Sequence, residues 1–198
     1  MINAYKKYLE IIHERMLKKY FNQQKDYIFC KEGCSHCCEK GQYPFSALEL
    51  KYLMLGYNKL SQEEKDIIQQ KIEQIITNAK SAKNKVFLHE CPFLINKKCS
   101  VYDYRGIICR THGLLFFINN ENGESINKIP YCVNYGLNYS NVYDKETKTI
   151  STELWGKSGI EEEPVAYNLS LKFLLNNVLT KELGLDFGEE KALVDWFK

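Results

Sequence analysis

The stretch Cys30-Lys-Glu-Gly-Cys34-Ser-His-Cys37-Cys38 gathers four thiols into nine residues, and four more follow at Cys91, Cys99, Cys109 and Cys132. Thiols this dense leave two kinds of fold: a disulfide framework in an oxidising compartment, or a metal site in a reducing one. The compartment decides between them. The N-terminus, MINAYKKYLEIIHERMLKKY, interleaves Lys, Glu, Arg and His with its apolar residues, so it has neither the uninterrupted apolar region nor the small-residue cleavage site of a secretory signal. The longest apolar run, Leu114-Leu115-Phe116-Phe117-Ile118, falls far short of the roughly 18 residues a membrane span needs. These features predict a soluble, cytoplasmic protein with no membrane association, whose cysteines act as metal ligands.

A chain of 198 residues can bury a core without disulfides to support it, so stability alone does not account for eight cysteines. The formal charge of +2 is close to balance, and the Lys residues are scattered among Glu and Asp rather than gathered into a stripe. That pattern carries no nucleic-acid footprint and reads as ordinary solvation.

Tyr5, Tyr8, Leu9, Ile12, Met16, Leu17 and Tyr20 recur every three or four residues, which predicts an N-terminal helix leading into the thiol cluster. After the cluster, Ser46-Ala-Leu-Glu49 and Ser61-Gln-Glu-Glu64 are capping boxes, each opening an apolar-periodic segment. They predict helices at about 47–56 and 62–80. The apolar run 113–118 and the segment 126–129 flank Asn122-Gly123 and predict a β-hairpin. Residues 138–159 show no period and read as a long loop or a short ribbon. Pro164 stands where a helix could begin, Leu169, Leu171, Leu174, Leu175, Val178 and Leu179 supply its apolar face, and Gly184 stops it. Residues 188–197 form a last short helix in this reading. No repeat or Pro/Gly-rich linker divides the chain. The expected fold is therefore mainly α with a small β-hairpin (α+β), one helical domain organised around a Cys metal site, with a metal-binding core at about 28–135 and a helical extension at about 160–198.

Cys34-x2-Cys37 is the short loop spacing that lets two thiolates reach one ion, and Gly33 relaxes the backbone between Cys30 and Cys34. Cys38 is the odd member, because adjacent residues point in different directions; it faces a second site or the core. Cys91 and Cys99 flank a short Lys-Lys turn, with Cys109-Arg110 ten residues further on. A four-thiolate site needs only one or two ligands from each block.

At these residues the chain resembles the YkgJ-type cysteine-cluster family of zinc- or iron-chelating domains. The resemblance covers two stretches, about 30–50 and 91–112. Cys30, Cys34, Cys37 and Cys38 match the family's cluster, and Cys91-Pro92-Phe93-Leu94 with Cys99-Ser-Val-Tyr102-Asp-Tyr-Arg105-Gly-Ile-Ile-Cys109-Arg110 match its second motif. Gly106 stands where the family usually has Pro. Beyond His112 only a late Cys, here Cys132, is shared. The resemblance implies a metal site and no settled reaction. Flagellin lysine N-methylases look similar across the same cluster, and they imply an iron–sulfur-dependent methyl transfer from S-adenosylmethionine onto a protein or peptide side chain.

Softness suits four thiolates equally to zinc and to a 4Fe–4S cluster. The spacing Cys30-x3-Cys34-x2-Cys37 also occurs in radical SAM enzymes, but there it follows the first strand of a strand–helix barrel, whereas here a helix precedes it. Thiol exchange at Cys34-x2-Cys37 would need a βαβ context that the pattern lacks. Among the histidines, His36 and His112 are ligand candidates beside the thiols, His89 is a weaker one, and His13 has no partner in view. Arg105 and Arg110 read as cations that offset thiolate charge, with Tyr102 donating a hydrogen bond to a sulfur or carboxylate; the competing reading is an ordinary ion pair of Arg105 with Asp103. Two function classes follow. The first is a metal-binding protein holding an iron–sulfur cluster or zinc through its cysteines. The second is a SAM-using methyltransferase. The first is preferred, since no Gly-rich cofactor loop, acid/base constellation or nucleophile motif is readable.

Overall fold

The N-terminal periodicity produces a helical run, α1 (Ile2–Ile12), a π turn at His13–Leu17 and α2 (Lys18–Gln23), in the computed structural model, which describes residues 1–81, 87–120 and 122–198. In chain order there follow α3 (His36–Glu39), β1 (Pro44–Ser46), α4 (Ala47–Tyr57), α5 (Gln62–Ser81), β2 (Leu94–Ile95), β3 (Lys98–Cys99) and α6 (Ile107–Thr111). Next come β4 (Phe116–Asn119), β5 (Ser125–Lys128), β6 (Tyr143–Asp144), β7 (Thr149–Ile150), α7 (Thr152–Ser158), β8 (Tyr167–Asn168), α8 (Leu171–Leu175), α9 (Val178–Glu182) and β9 (Glu190–Ala192). Helix predominates over several small sheets, so the fold class is α+β. Among the described residues no helix is long and apolar enough to cross a membrane.

The chain forms two compact units woven from separated pieces. The first takes Met1–Tyr5, Gly33–Arg110 and Gly184–Lys198; the second takes Lys6–Glu32 and Thr111–Leu183. In the first unit both capping boxes close as the sequence predicts. Ser46 Oγ accepts from Glu49 N at 3.3 Å while Ser46 N donates to Glu49 Oε2 at 3.0 Å, and Ser61 and Glu64 repeat the exchange at 3.2 and 3.0 Å. The core they frame is Tyr43, Phe45, Leu53, Ile68, Ile72, Phe93, Val101 and Leu193, with Cys91, Cys99 and Cys109 packed against it. β1 pairs antiparallel with β9, register Pro44 to Ala192. The last short helix expected at 188–197 is thus β9 followed by a 3-10 turn at Leu193–Phe197.

In the second unit the predicted hairpin is present, β4 pairing β5 from Phe116 opposite Lys128 to Asn119 opposite Ser125. Its turn contains Gly123 at φ 81°, and Asn120 Oδ1 accepts from Asn122 N and Glu124 N at 3.0 and 2.8 Å; Glu121 lies outside the described residues. The core here is Tyr27, Leu115, Tyr139 and Val142. Residues 138–159 give the ribbon β6–β7 and then α7, capped by Ser151 Oγ accepting from Leu154 N at 3.2 Å. The single helix expected from Pro164 to Gly184 is instead β8, parallel to β4, and two short helices. Asn176 and Asn177 divide them, because an Asn side chain competes for backbone groups inside a helix and caps the next one: Thr180 N donates to Asn177 Oδ1 at 3.1 Å.

Candidate metal centre

Gly33 turns the chain at φ 84° and delivers Cys34, after which α3 winds through Cys37 and Cys38. The turn is fixed locally. Cys38 N donates to Ser35 O at 2.7 Å, and Glu39 is held by the Ser35 hydroxyl at 3.0 Å and by His36 Nδ1 at 2.9 Å. Longer bonds then tie this turn to the second thiol block. Cys91 N donates to Cys38 O at 2.8 Å, Gly41 and His89 exchange backbone bonds at 2.9 and 3.1 Å, and the Tyr43 hydroxyl donates to Cys38 O at 2.9 Å.

Asn96 and Lys97 both take positive φ, 49° and 60°, and form the two-residue turn that folds β3 back on β2 and sets Cys99 opposite Leu94. The chain then runs through a 3-10 turn at Tyr102–Tyr104 into α6, which carries Cys109. At its entrance stands Gly106. A Cβ at Gly106 would lie 2.8 Å from the Phe45 ring and 3.1 Å from Glu49 Oε1, so the chain can pass there only without a side chain. The family's Pro carries a Cβ and would meet the same atoms. Phe45 is 1 % exposed and has nowhere to move, so Gly106→Ala is expected to cost about 1–3 kcal/mol and lower the Tm by several degrees in a thermal melt.

The thiols of the first unit share one electrostatic field. The Cys37 and Cys38 sulfurs are 3.9 Å apart. Their hydrogen bond draws the Cys37 thiol below its ordinary range, helped by the positive charges of Arg105 and His36, and pushes Cys38 upward, with burial and the charges of Cys37, Cys91 and Cys109 adding to the rise. Burial pushes Cys91 up to about 12, with Cys99 and Cys37 contributing. Burial also raises Cys99, and raises Cys109 well above a free thiol, the latter helped by Cys91 and Cys99. Cys37, Cys38, Cys91, Cys99 and Cys109 therefore form one group drawn from three segments. Cys38, read from the sequence as the odd member, belongs to it. Cys34 makes no hydrogen bond to another thiol among the described residues.

Cys30 and Cys132 belong to the second unit. Asn138 is fully buried there, and its Oδ1 accepts from Phe29 N and Cys30 N at 2.9 and 2.8 Å while its Nδ2 donates to Gly113 O at 2.9 Å. Cys132 sits in a 3-10 turn, with its carbonyl accepting from Leu137 N at 3.3 Å. His112 is in this unit as well. His89 is buried, its Nδ1 2.8 Å from Glu90 O, and His13 is exposed on the π turn.

Arg105 lies 3.4 Å over the Tyr102 ring and donates from Nε to Tyr102 O at 2.8 Å, and its charge favours the thiolates of Cys37, Cys99 and Cys109. Arg110 staples the same turn, Nη2 to Asp103 O at 2.9 Å and Nε to Arg105 O at 3.3 Å. Tyr102, expected to donate a hydrogen bond to a sulfur or carboxylate, serves here as a platform under the Arg105 guanidinium. Two residues with clear parts here, Tyr43 and Glu49, gave no sign of them in the sequence: Glu49 is legible as a capping residue, and nothing local marks Tyr43.

Among the described residues no three Cys, His, Asp or Glu side chains stand in closed ligand geometry. Protonated thiols have no cause to converge on a point. The donor set nonetheless fits a zinc or iron ion: all five donors are soft sulfurs, and a cation among them would offset the cost of burying thiolates and their mutual repulsion. Comparison with curated proteins and with solved structures gives no match. A family model does match, over residues 29–151, taking in both thiol blocks and Cys132. The chain belongs to the CxxCxxCC family, whose description is "putative zinc- or iron-chelating domain".

Proposed function

We propose that this is a metal-binding protein whose centre is a single zinc ion held by four of the thiols Cys37, Cys38, Cys91, Cys99 and Cys109. The observation that carries the reading is the gathering of these five thiols, from three segments of the chain, into one field within one compact unit. The choice of ion rests on the Cys37–Cys38 separation of 3.9 Å. A tetrahedral ion with Zn–S bonds of about 2.3 Å sets its sulfurs about 3.8 Å apart. A 4Fe–4S cluster takes one thiolate on each of its diverging irons and spreads the sulfurs further. Four protein ligands close the coordination shell, so the ion's part is structural, joining α3, the β2–β3 ribbon and α6. Arg105 supports it by offsetting thiolate charge. Thiols kept for this purpose suit a reducing compartment such as the cytoplasm.

Purification without oxygen, followed by assay of metal and acid-labile sulfide, tests the proposal. About one zinc per chain and a colourless protein without sulfide is the expected result. A coloured protein with sulfide and iron would replace zinc by an iron–sulfur centre, and a chain with neither would overturn metal binding.

A further inference from the structure

We propose that Glu49 is a positioning residue that sets the Cys109 ligand through the first backbone N–H of α6. The proposal deepens the metal-binding reading above and rests on it.

The chain contains its own control. The capping box at Ser61–Glu64 is exposed, and among the described residues its carboxylate receives only the Ser61 N–H and hydroxyl, at 3.0 and 2.9 Å. Glu49 performs the same task with one oxygen alone, Oε2, which accepts from Ser46 N at 3.0 Å and Ser46 Oγ at 2.8 Å. Capping therefore requires neither the burial of Glu49 nor its second oxygen. Yet Glu49 is 0 % exposed, and a buried carboxylate is costly unless hydrogen bonds satisfy it. Its Oε1 supplies them by accepting from Ile107 N at 2.8 Å and from the Tyr5 hydroxyl at 3.3 Å.

Ile107 opens α6, and its N–H has no partner within that helix. One carboxylate thus caps two helices, reaching the second at a residue 58 positions from Glu49, and that helix carries Cys109 two positions along. The close passage of Gly106 belongs to the same device, since a Cβ there would press on Phe45 and on Glu49 Oε1. The benefit to Cys109 is geometric, because a negative charge at Glu49 opposes a thiolate at Cys109. A carboxylate can receive both backbone donors, one on each oxygen. An amide has a single acceptor oxygen, so Glu49→Gln turns an N–H toward either Ser46 N or Ile107 N.

Cobalt(II) titration of the full chain is the test, with affinity and thiolate-to-cobalt charge-transfer intensity as readouts. E49Q is expected to bind cobalt 10–100-fold more weakly, with charge-transfer intensity reduced toward three thiolates. E64Q, the equivalent change in the exposed box, is expected to bind as the wild type does. If Glu49 acts through Cys109, the double variant E49Q/C109S binds no more weakly than C109S alone, whereas a general structural role gives additive losses. Should E49Q fail to fold, Glu49→Asp keeps the charge on an arm too short to span Ser46 and Ile107, and it is read against the same cycle. Wild-type affinity and spectrum in these variants, or additive losses, overturn the proposal; absence of cobalt binding by the wild type overturns the metal reading itself, and the proposal with it.

Discussion

Loading the apo-protein with zinc at pH 7 is expected to release about three protons per ion, and apparent affinity is expected to rise about a thousandfold per pH unit near neutrality. A thiol must become a thiolate to bind zinc. Cys91, with its pKa pushed up to about 12, and Cys99 and Cys109, both raised by burial, carry their protons at neutral pH. The Cys37–Cys38 pair has one proton loosened and one held more tightly. A four-ligand set drawn from this group therefore gives up most of its protons on binding. The sign follows directly: higher pH removes the competitor and strengthens binding, and acid returns protons to sulfur and expels the ion. Binding free energy of a site absent from the unfolded chain is folding free energy, so the loaded protein loses stability as pH falls. Calorimetric titration in buffers of different ionisation heat gives the proton count directly. A count near zero would mean that the thiols are already ionised and that the burial argument is wrong.

Replacing Cys109 by Ser is expected to weaken metal binding and lower stability together. A serine hydroxyl is a hard, neutral donor, and the lost ligand leaves the remaining sulfurs without the cation that offsets their repulsion. Affinity should fall by more than the roughly 10–100-fold typical of outer partners, and the thermal transition of the variant should respond to added zinc only at correspondingly higher concentration. Cys132→Ser, a change in the second unit, is the comparison. It should keep one zinc and the zinc-dependent transition. Release of the ion from Cys132→Ser, or wild-type zinc affinity in Cys109→Ser, would falsify the assignment of the site to the first unit.

What the sequence makes legible here is what is local. Both capping boxes and the Asn122-Gly123 hairpin are written within a few residues of where they act, and each appears where it is expected. Cys38 is set apart in the sequence by a rule drawn from extended chain, in which neighbours diverge. In α3 successive residues follow a helical turn, and the sulfurs of Cys37 and Cys38 come within 3.9 Å. The Leu-rich segment after Pro164 has the right apolar period for one helix, but Asn176 and Asn177 prefer capping positions and split it. The pairing of Ser46 with Glu190 and the bond from Glu49 to Ile107 join residues far apart in the chain, and no local pattern announces them.

The join between β1 and β9 has a consequence for the order of events in the cell. The thiol-bearing unit is finished by residues 184–198, which follow every cysteine in the chain, and Leu193 N closes onto Tyr43 O at 2.7 Å. Every cysteine of the chain is synthesised before that strand exists. Until it arrives, β1 has a bare edge and the thiols sit on an unfinished scaffold, open to wrong metals and to oxidation. This unit can close only after its last cysteine has been synthesised, so the thiols precede the strand that completes their scaffold.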